Sequence, residues 1–301
     1  YADRRHSRDC STRGHLSMNV TTKRRTTCKR GDTLMRSASF LYTNAVGRVL
    51  LKILIQPWVS RVGGVVADSG FSRLFIRRFV KKHAIDTKRF EERKYRSFND
   101  FFTRKLKENC FDASPDALIS PCDALVTYYE ITDSAIFGIK GSEYTVASLT
   151  GNEEDAQKYR GGTCLVFRLC VNDYHRYCFF DDGCIISSKK IKGVLHTVQP
   201  IAHAPADVFV QNSREVTYLD TDNFSESVQI EVGALLVGRI TNDHTAREFR
   251  RGQEKGRFEF GGSTIVLLLK KGAALTDEEI VSNSLAGLET RVFCGERIGS
   301  A

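Results

Sequence analysis

The sequence predicts an α+β protein: a basic, helical N-terminal region followed by a β-rich body of barrel-like or sandwich-like character. Three observations predict it. The net charge of +9 is split, with residues 1–30 carrying +7, 31–72 +2 and 73–108 +8, whereas 109–301 carries −8. Apolar residues recur at helical spacing up to about Lys82. After Pro121 the apolar runs become short and β-type, and glycines and Asp/Asn pairs separate them.

The elements follow in order. Residues 1–33 are rich in Arg, Lys, Thr and Ser and read as a basic, disordered or loosely attached leader. A helical, basic region over 34–108 comes next. Asn44, Arg48, Lys52 and Gln56 recur every four residues as one polar stripe, and Val46, Val49, Leu50, Leu51, Ile53, Leu54 and Ile55 fill the rest of that helix. Such a helix either docks on the body or lies in a membrane interface, where Trp58 would suit the headgroup level. Phe71–Phe79 and Phe98–Lys107 also read as helical, the latter capped by Ser97. The β-rich region is 109–301, with strand-like runs at Ala124–Tyr129, Thr163–Leu169, Cys184–Ser188, Gly193–Val198, Glu215–Leu219, Ser227–Ile240 and Thr264–Leu269. An apolar content of 41% is ample for its core.

The charge split points to an anionic partner for the front of the chain, either nucleic acid or an anionic membrane surface. No aromatic-basic RNA motif or zinc finger supports nucleic acid, so no nucleic-acid partner is expected. No apolar run approaches the roughly 20 residues that a spanning helix needs. Val46–Val59 is interrupted by Arg48, Lys52 and Pro57, and no signal peptide is evident. A peripheral protein on a cytoplasmic membrane face is the expectation. The nine cysteines contain no C-x-x-C pair. That spacing favours reduced thiols over a disulfide framework or a zinc site, and no metal is expected.

The chemistry-bearing stretch is Gly252–Val266. Taken alone it reads strand, tight turn, strand, with Gly261 and Gly262 able to bring the Ser263 hydroxyl near the preceding carbonyl. Lys255 within it reads as a turn residue. Four further segments precede it in order: Arg96–Leu106 (RSFNDFFTRKL), Ser120–Asp123 (SPCD), Asp173–Arg176 (DYHR) and Val232–Gly238 (VGALLVG). Together with Gly261-Gly262-Ser263-Thr264, these resemble the ordered motifs of phosphatidylserine decarboxylase proenzymes over about residues 95–272.

The resemblance implies a self-processing, pyruvoyl-dependent carboxy-lyase that acts on phosphatidylserine. Its 109–301 region would be the catalytic domain, cut between Gly262 and Ser263. Ser263 would attack the Gly262 carbonyl, giving a β chain of residues 1–262 and an α chain of 263–301 whose first residue is a pyruvoyl group. That group, made from Ser263 itself, would be the only cofactor and would form a Schiff base with the substrate amine. The partners implied are an anionic phospholipid surface and each chain for the other; a homodimer stays open. Asp123 would orient a histidine in a relay like that of a hydrolase triad. Position 178 is Cys where many relatives carry the relay histidine, so three residues compete for the base: His175, His196 and Cys178. A thiol with a pKa of about 8.5 is the weakest base of the three. Some relatives share both the cysteine and a His-Thr-Val segment, which favours His196. The alternatives are a pyruvoyl decarboxylase for another amino-acid-type substrate and a lipid- or partner-binding homologue that has lost processing.

Overall fold

A computed structural model describes residues 25–29, 44–107, 111–132, 137–139, 142–195, 208–234, 239–243, 246–259 and 263–301. Among the described residues, four short helices form the front: α1 (Ala45–Leu54), α2 (Pro57–Asp68), α3 (Ile76–Lys82) and α4 (Phe98–Phe102). The Asn44 side chain caps α1 by accepting from Val46 N at 2.9 Å. Pro57 opens α2, where its missing N–H costs nothing. A 3₁₀ turn over Gly70–Phe75 feeds α3.

Helix α1 both docks and faces outward. Gly47, Leu51 and Ile55, four residues apart, are buried, while Val46, Val49, Leu50 and Ile53 are exposed. The Ile55 carbonyl accepts from Leu195 N at 2.9 Å, which ties the front to the body. The segment 98–107 is helical only to Phe102. Ser97 caps it by accepting from Asp100 N, and Leu106 instead bridges to Phe90. Ser72 Oγ accepts from Phe98 N, and Phe79 packs edge-on against Phe98, so α4 is held under the front helices.

The strands are β1 (Thr27–Lys29), β2 (Ala117–Ile119), β3 (Ala124–Glu130), β4 (Phe137–Ile139), β5 (Ser142–Tyr144), β6 (Thr163–Leu169), β7 (Arg176–Cys178), β8 (Gly183–Ile191), β9 (Arg214–Thr221), β10 (Ser225–Val232), β11 (Ile240–Asn242), β12 (Glu248–Phe249), β13 (Glu254–Phe258), β14 (Ser263–Leu269), β15 (Leu275–Thr276), β16 (Leu288–Val292) and β17 (Arg297–Ser300). Nine of them make one antiparallel sheet in the order β1-β16-β3-β6-β14-β10-β9-β8-β12. Smaller sheets follow the orders β11-β13-β7, β15-β17-β2 and β4-β5. The α+β class is as the sequence predicts; among the described residues the large sheet stays open rather than closing into a barrel. Among the described residues the body has four helices, α5 (Val146–Thr150), α6 (Glu154–Lys158), α7 (Val208–Gln211) and α8 (Glu278–Leu285), the last being the longest.

Strand β14 lies between β6 and β10 and is buried along its whole length, as its continuous apolar sequence requires. Two further expectations change. The run Ser227–Ile240 is not one strand: β10 ends at Val232, and Ile240 begins β11 in a different sheet. The basic leader is not loose at its described end. Thr27–Lys29 pairs with β16, and the Arg25 guanidinium meets Asp277 at 2.8 Å and Glu296 at 2.7 Å. The acidic body thus supplies the partners that fix this piece of the basic front.

Candidate active site

Ser263 is the first residue of β14, opposite Leu169 at the end of β6. Its side chain is fully buried, and Oγ has no hydrogen-bond partner among the described residues. A buried hydroxyl left unpaired costs about 1–3 kcal/mol. Upstream, Phe258 N donates to the His175 carbonyl at 2.9 Å. Phe258 is thus fixed on the backbone of His175, five residues ahead of Ser263.

His175 is buried just ahead of β7, its ring 4.0 Å from that of Phe102. Nδ1 lies 2.9 Å from the Asp173 carbonyl. A carbonyl only accepts, so Nδ1 carries a proton, and in the neutral tautomer the lone pair is on Nε2. The same carbonyl accepts from the wholly buried Arg104, which also bonds the Asn172 carbonyl and lies 4.2 Å over the Phe90 ring. Burial pulls the Arg104 guanidinium down to about 10. The Asp173 carboxylate accepts from Cys170 N at 2.7 Å and pairs with Arg291 at 2.9 Å. Burial nonetheless pushes its pKa above the usual carboxylate range, against the pull of Arg291.

Asp123 ends the Ser120–Asp123 turn between β2 and β3. Its carboxylate takes the Arg89 guanidinium at 3.0 Å and the Cys294 amide at 2.9 Å. Cys178 N donates to the Pro121 carbonyl, and Gly295 N donates to the Ser120 carbonyl. The turn thereby gathers the end of β7 and the segment between β16 and β17. Cys178 Sγ and Cys294 Sγ are 3.7 Å apart. Both residues line a cleft of about 110 Å³ with Lys105, Leu106, Tyr174, Tyr177, Gly252 and Glu254.

Lys255 is not a turn residue. The pairing of β13 with β7 slips between Glu254 and Gly256, and this bulge turns Lys255 into the interior. There Nζ donates to Glu231 Oε1 at 2.7 Å and Thr217 Oγ1 at 3.0 Å, with both charged side chains fully buried. Asn242 donates to the other Glu231 oxygen and accepts from Tyr177 OH. Burial raises the Glu231 pKa, against Lys255 and Asn242. Gly256 is required beside the bulge, because a Cβ there would sit 2.4 Å from Asn242 Oδ1 and the Thr241 carbonyl. Glu231 faces Ile265, two residues along β14 from Ser263, so this ion pair shares the Ser263 face of the sheet.

A family profile described as phosphatidylserine decarboxylase matches residues 98–300. The chain belongs to the phosphatidylserine decarboxylase family. It is 46% identical to phosphatidylserine decarboxylase proenzyme 2 of Clostridium acetobutylicum, over 86% of this chain and 90% of that protein. It is 41% identical to the proenzyme of Ruminiclostridium cellulolyticum, over 88% and 91%, and 38% identical to that of Clostridium tetani, over 87% and 90%.

Of the expected site residues in this phosphatidylserine decarboxylase family member, Ser263, Asp123, His175 and Cys178 are all buried. His196 and Gly262 lie outside the described residues. Asp123 and Cys178 share the cleft neighbourhood, and the His175 carbonyl accepts from Phe258 N, five residues ahead of Ser263. Sequence reasoning missed Asp173, Arg104, Arg291, Cys294 and the inward Lys255. Asp173 and Arg104 stood inside quoted motifs, but only burial distinguishes them from ordinary surface charges. Nothing in the sequence pairs Arg291 with Asp173 or Cys294 with Cys178.

Proposed function

We propose that this chain cuts itself between Gly262 and Ser263 and decarboxylates phosphatidylserine to phosphatidylethanolamine through a pyruvoyl group made from Ser263. The observation that carries the proposal is the buried Ser263 hydroxyl, without a partner among the described residues, at the head of a strand whose upstream segment is anchored on His175. Membership of a family whose relatives are named proenzymes supports it.

Ser263 fits conversion, since losing its hydroxyl breaks no described hydrogen bond. In this reading His175 is the base, since its Nδ1 bonds the Asp173 carbonyl and its own carbonyl holds Phe258 N ahead of the cut. Ser263 Oγ attacks the Gly262 carbonyl, the amide becomes an ester, and loss of the Ser263 α-proton expels residues 1–262 as a carboxylate. Water then converts the dehydroalanine to the pyruvoyl group and ammonia. The pyruvoyl group supplies the electron sink for decarboxylation that pyridoxal phosphate supplies elsewhere. After cutting, residues 263–301 stay woven into the body: β14 lies between β6 and β10, β16 between β1 and β3, and β17 beside β2.

The front meets the lipid. Among the described residues no helix is long and apolar enough to cross a membrane. Val46, Trp58, Val65, Phe71, Leu74 and Phe75 are exposed, and Arg77, Arg78, Lys81 and Lys82 follow on α3. Each cation near an anionic leaflet contributes on the order of 1 kcal/mol, and the apolar side chains add burial in the headgroup boundary. This suits peripheral binding to an anionic, cytoplasm-facing leaflet.

Denaturing electrophoresis with intact mass tests the first step. Two chains, the smaller lacking a free amino terminus, are expected; an active protein with one uncut chain would sink the proposal. Carbon dioxide released from phosphatidylserine vesicles, but not from soluble serine, is the expected substrate result. Among single alanine variants, His175→Ala should block cutting, and full cutting in that variant moves the base elsewhere, with His196→Ala the next to measure.

A further inference from the structure

Cys178 and Cys294 stand 116 residues apart in sequence, on opposite sides of Ser263, yet their sulfurs are 3.7 Å apart. Both residues line the cleft beside Asp123, and Cys294 is the half-buried one of the two, so an oxidant would meet Cys294 first. Cys122 is adjacent in the fold but wholly buried and does not line the cleft, and Cys164 is buried in the core. We propose that Cys178 and Cys294 are an oxidation site whose disulfide ties residues 1–262 covalently to residues 263–301. The tie between two chains rests on the cut at Gly262–Ser263; the disulfide itself does not.

The chemistry balances with a small-molecule disulfide as oxidant. One cysteine thiolate attacks a sulfur of R–S–S–R and expels one R–S⁻; the second thiolate then displaces the remaining R–S group. The protein loses two electrons, the small disulfide gains two, and the two cysteine protons end on the two released thiols. The sulfurs must close by roughly 1.7 Å to reach bonding distance, which is within reach of side-chain rotation. The hydrogen bond with Cys178 and then burial raise the Cys294 thiol well above its ordinary value, so the reaction accelerates with rising pH. The disulfide would close one wall of the cleft and fix the Cys294 amide that holds Asp123.

The test treats the purified full chain with oxidised glutathione and blocks remaining thiols with N-ethylmaleimide. Expected for the cut protein is one band on a non-reducing denaturing gel. Dithiothreitol should resolve it into chains of 262 and 39 residues, and two fewer thiols should be labelled than before oxidation. Peptide mapping should find Cys178 joined to Cys294. Cys294→Ser should release the small chain without reductant. The uncut Ser263→Ala variant should still lose two thiols and give the same linked peptide. Separate chains with both cysteines labelled, or a link through Cys122, overturns the proposal. An uncut wild-type chain that yields the linked peptide supports the oxidation site and sinks the cut instead.

Discussion

Val46, Val65 and Phe71 in the front expose 71, 72 and 69% of their surface, whereas Lys255 and Glu231 in the body expose none. An ordinary globular domain does the opposite in both places. Among the described residues the front leaves this apolar surface uncovered, which the proposed lipid surface would cover. The body buries charge because the strands that flank Ser263 carry it there, and Lys255 and Glu231 hold each other at 2.7 Å. Mutations should therefore separate cleanly: changes in the body cost processing or stability, and changes in the front cost membrane binding.

The strongest way to break the contrast is Ser263→Ala. It should leave one 301-residue chain and lower decarboxylation by at least on the order of 10³-fold, with little effect on vesicle binding. Mass spectrometry and carbon dioxide release check it. Next is Lys255→Met, which leaves Glu231 as an uncompensated buried carboxyl. A loss of about 4 kcal/mol is expected in chemical denaturation, again with vesicle affinity unchanged. A near-neutral result would mean that the ion pair does not organise the Ser263 face.

Arg291→Met probes the pair beside His175 and should cost about 3 kcal/mol. Its sign with pH is fixed by Asp173. Burial already raises that carboxyl, so the folded state binds its proton more tightly than the unfolded state does. Its stabilising contribution is present at low pH and lost as pH rises through the folded pKa. Removing Arg291 raises that value further, so the deficit should be larger near about pH 8 than near about pH 5. Denaturation midpoints at the two pH values decide it.

The smallest effect belongs to the front. Val65→Ser with Phe71→Ser should weaken binding to phosphatidylserine-containing vesicles by roughly 30-fold, or about 2 kcal/mol. Folding stability should change by no more than about 0.5 kcal/mol. A stability loss comparable to that of Lys255→Met would show that these side chains pack against the protein and not against lipid.

Legibility in the sequence followed range of interaction. Thr163–Leu169 and Thr264–Leu269 were readable as strands because a short run rich in β-type apolar residues is a local signal. The Ser97 cap was readable for the same reason, but the end of its helix was not. Leu106 leaves to pair with Phe90, and no local preference announces that. Ser227–Ile240 looked continuous because Val232 and Ile240 are both good strand residues; that they serve different sheets is decided by their neighbours. Lys255 was misread because a bulge, which is a property of a strand pair, sets the direction of its side chain.

By itself the sequence determined the division into a basic helical front and an acidic β-rich body, the order of the motifs, and the serine around which they are arranged. Those are matters of composition, local periodicity and residue type. The tertiary structure decided which edge of α1 docks and which stays open, why Ser263 is buried without a described partner, and that Cys178 meets Cys294. It also turned Lys255 inward onto Glu231. Each of these depends on contacts between residues far apart in the chain, and burial and pairing energies act on those contacts only after the strands have chosen their neighbours.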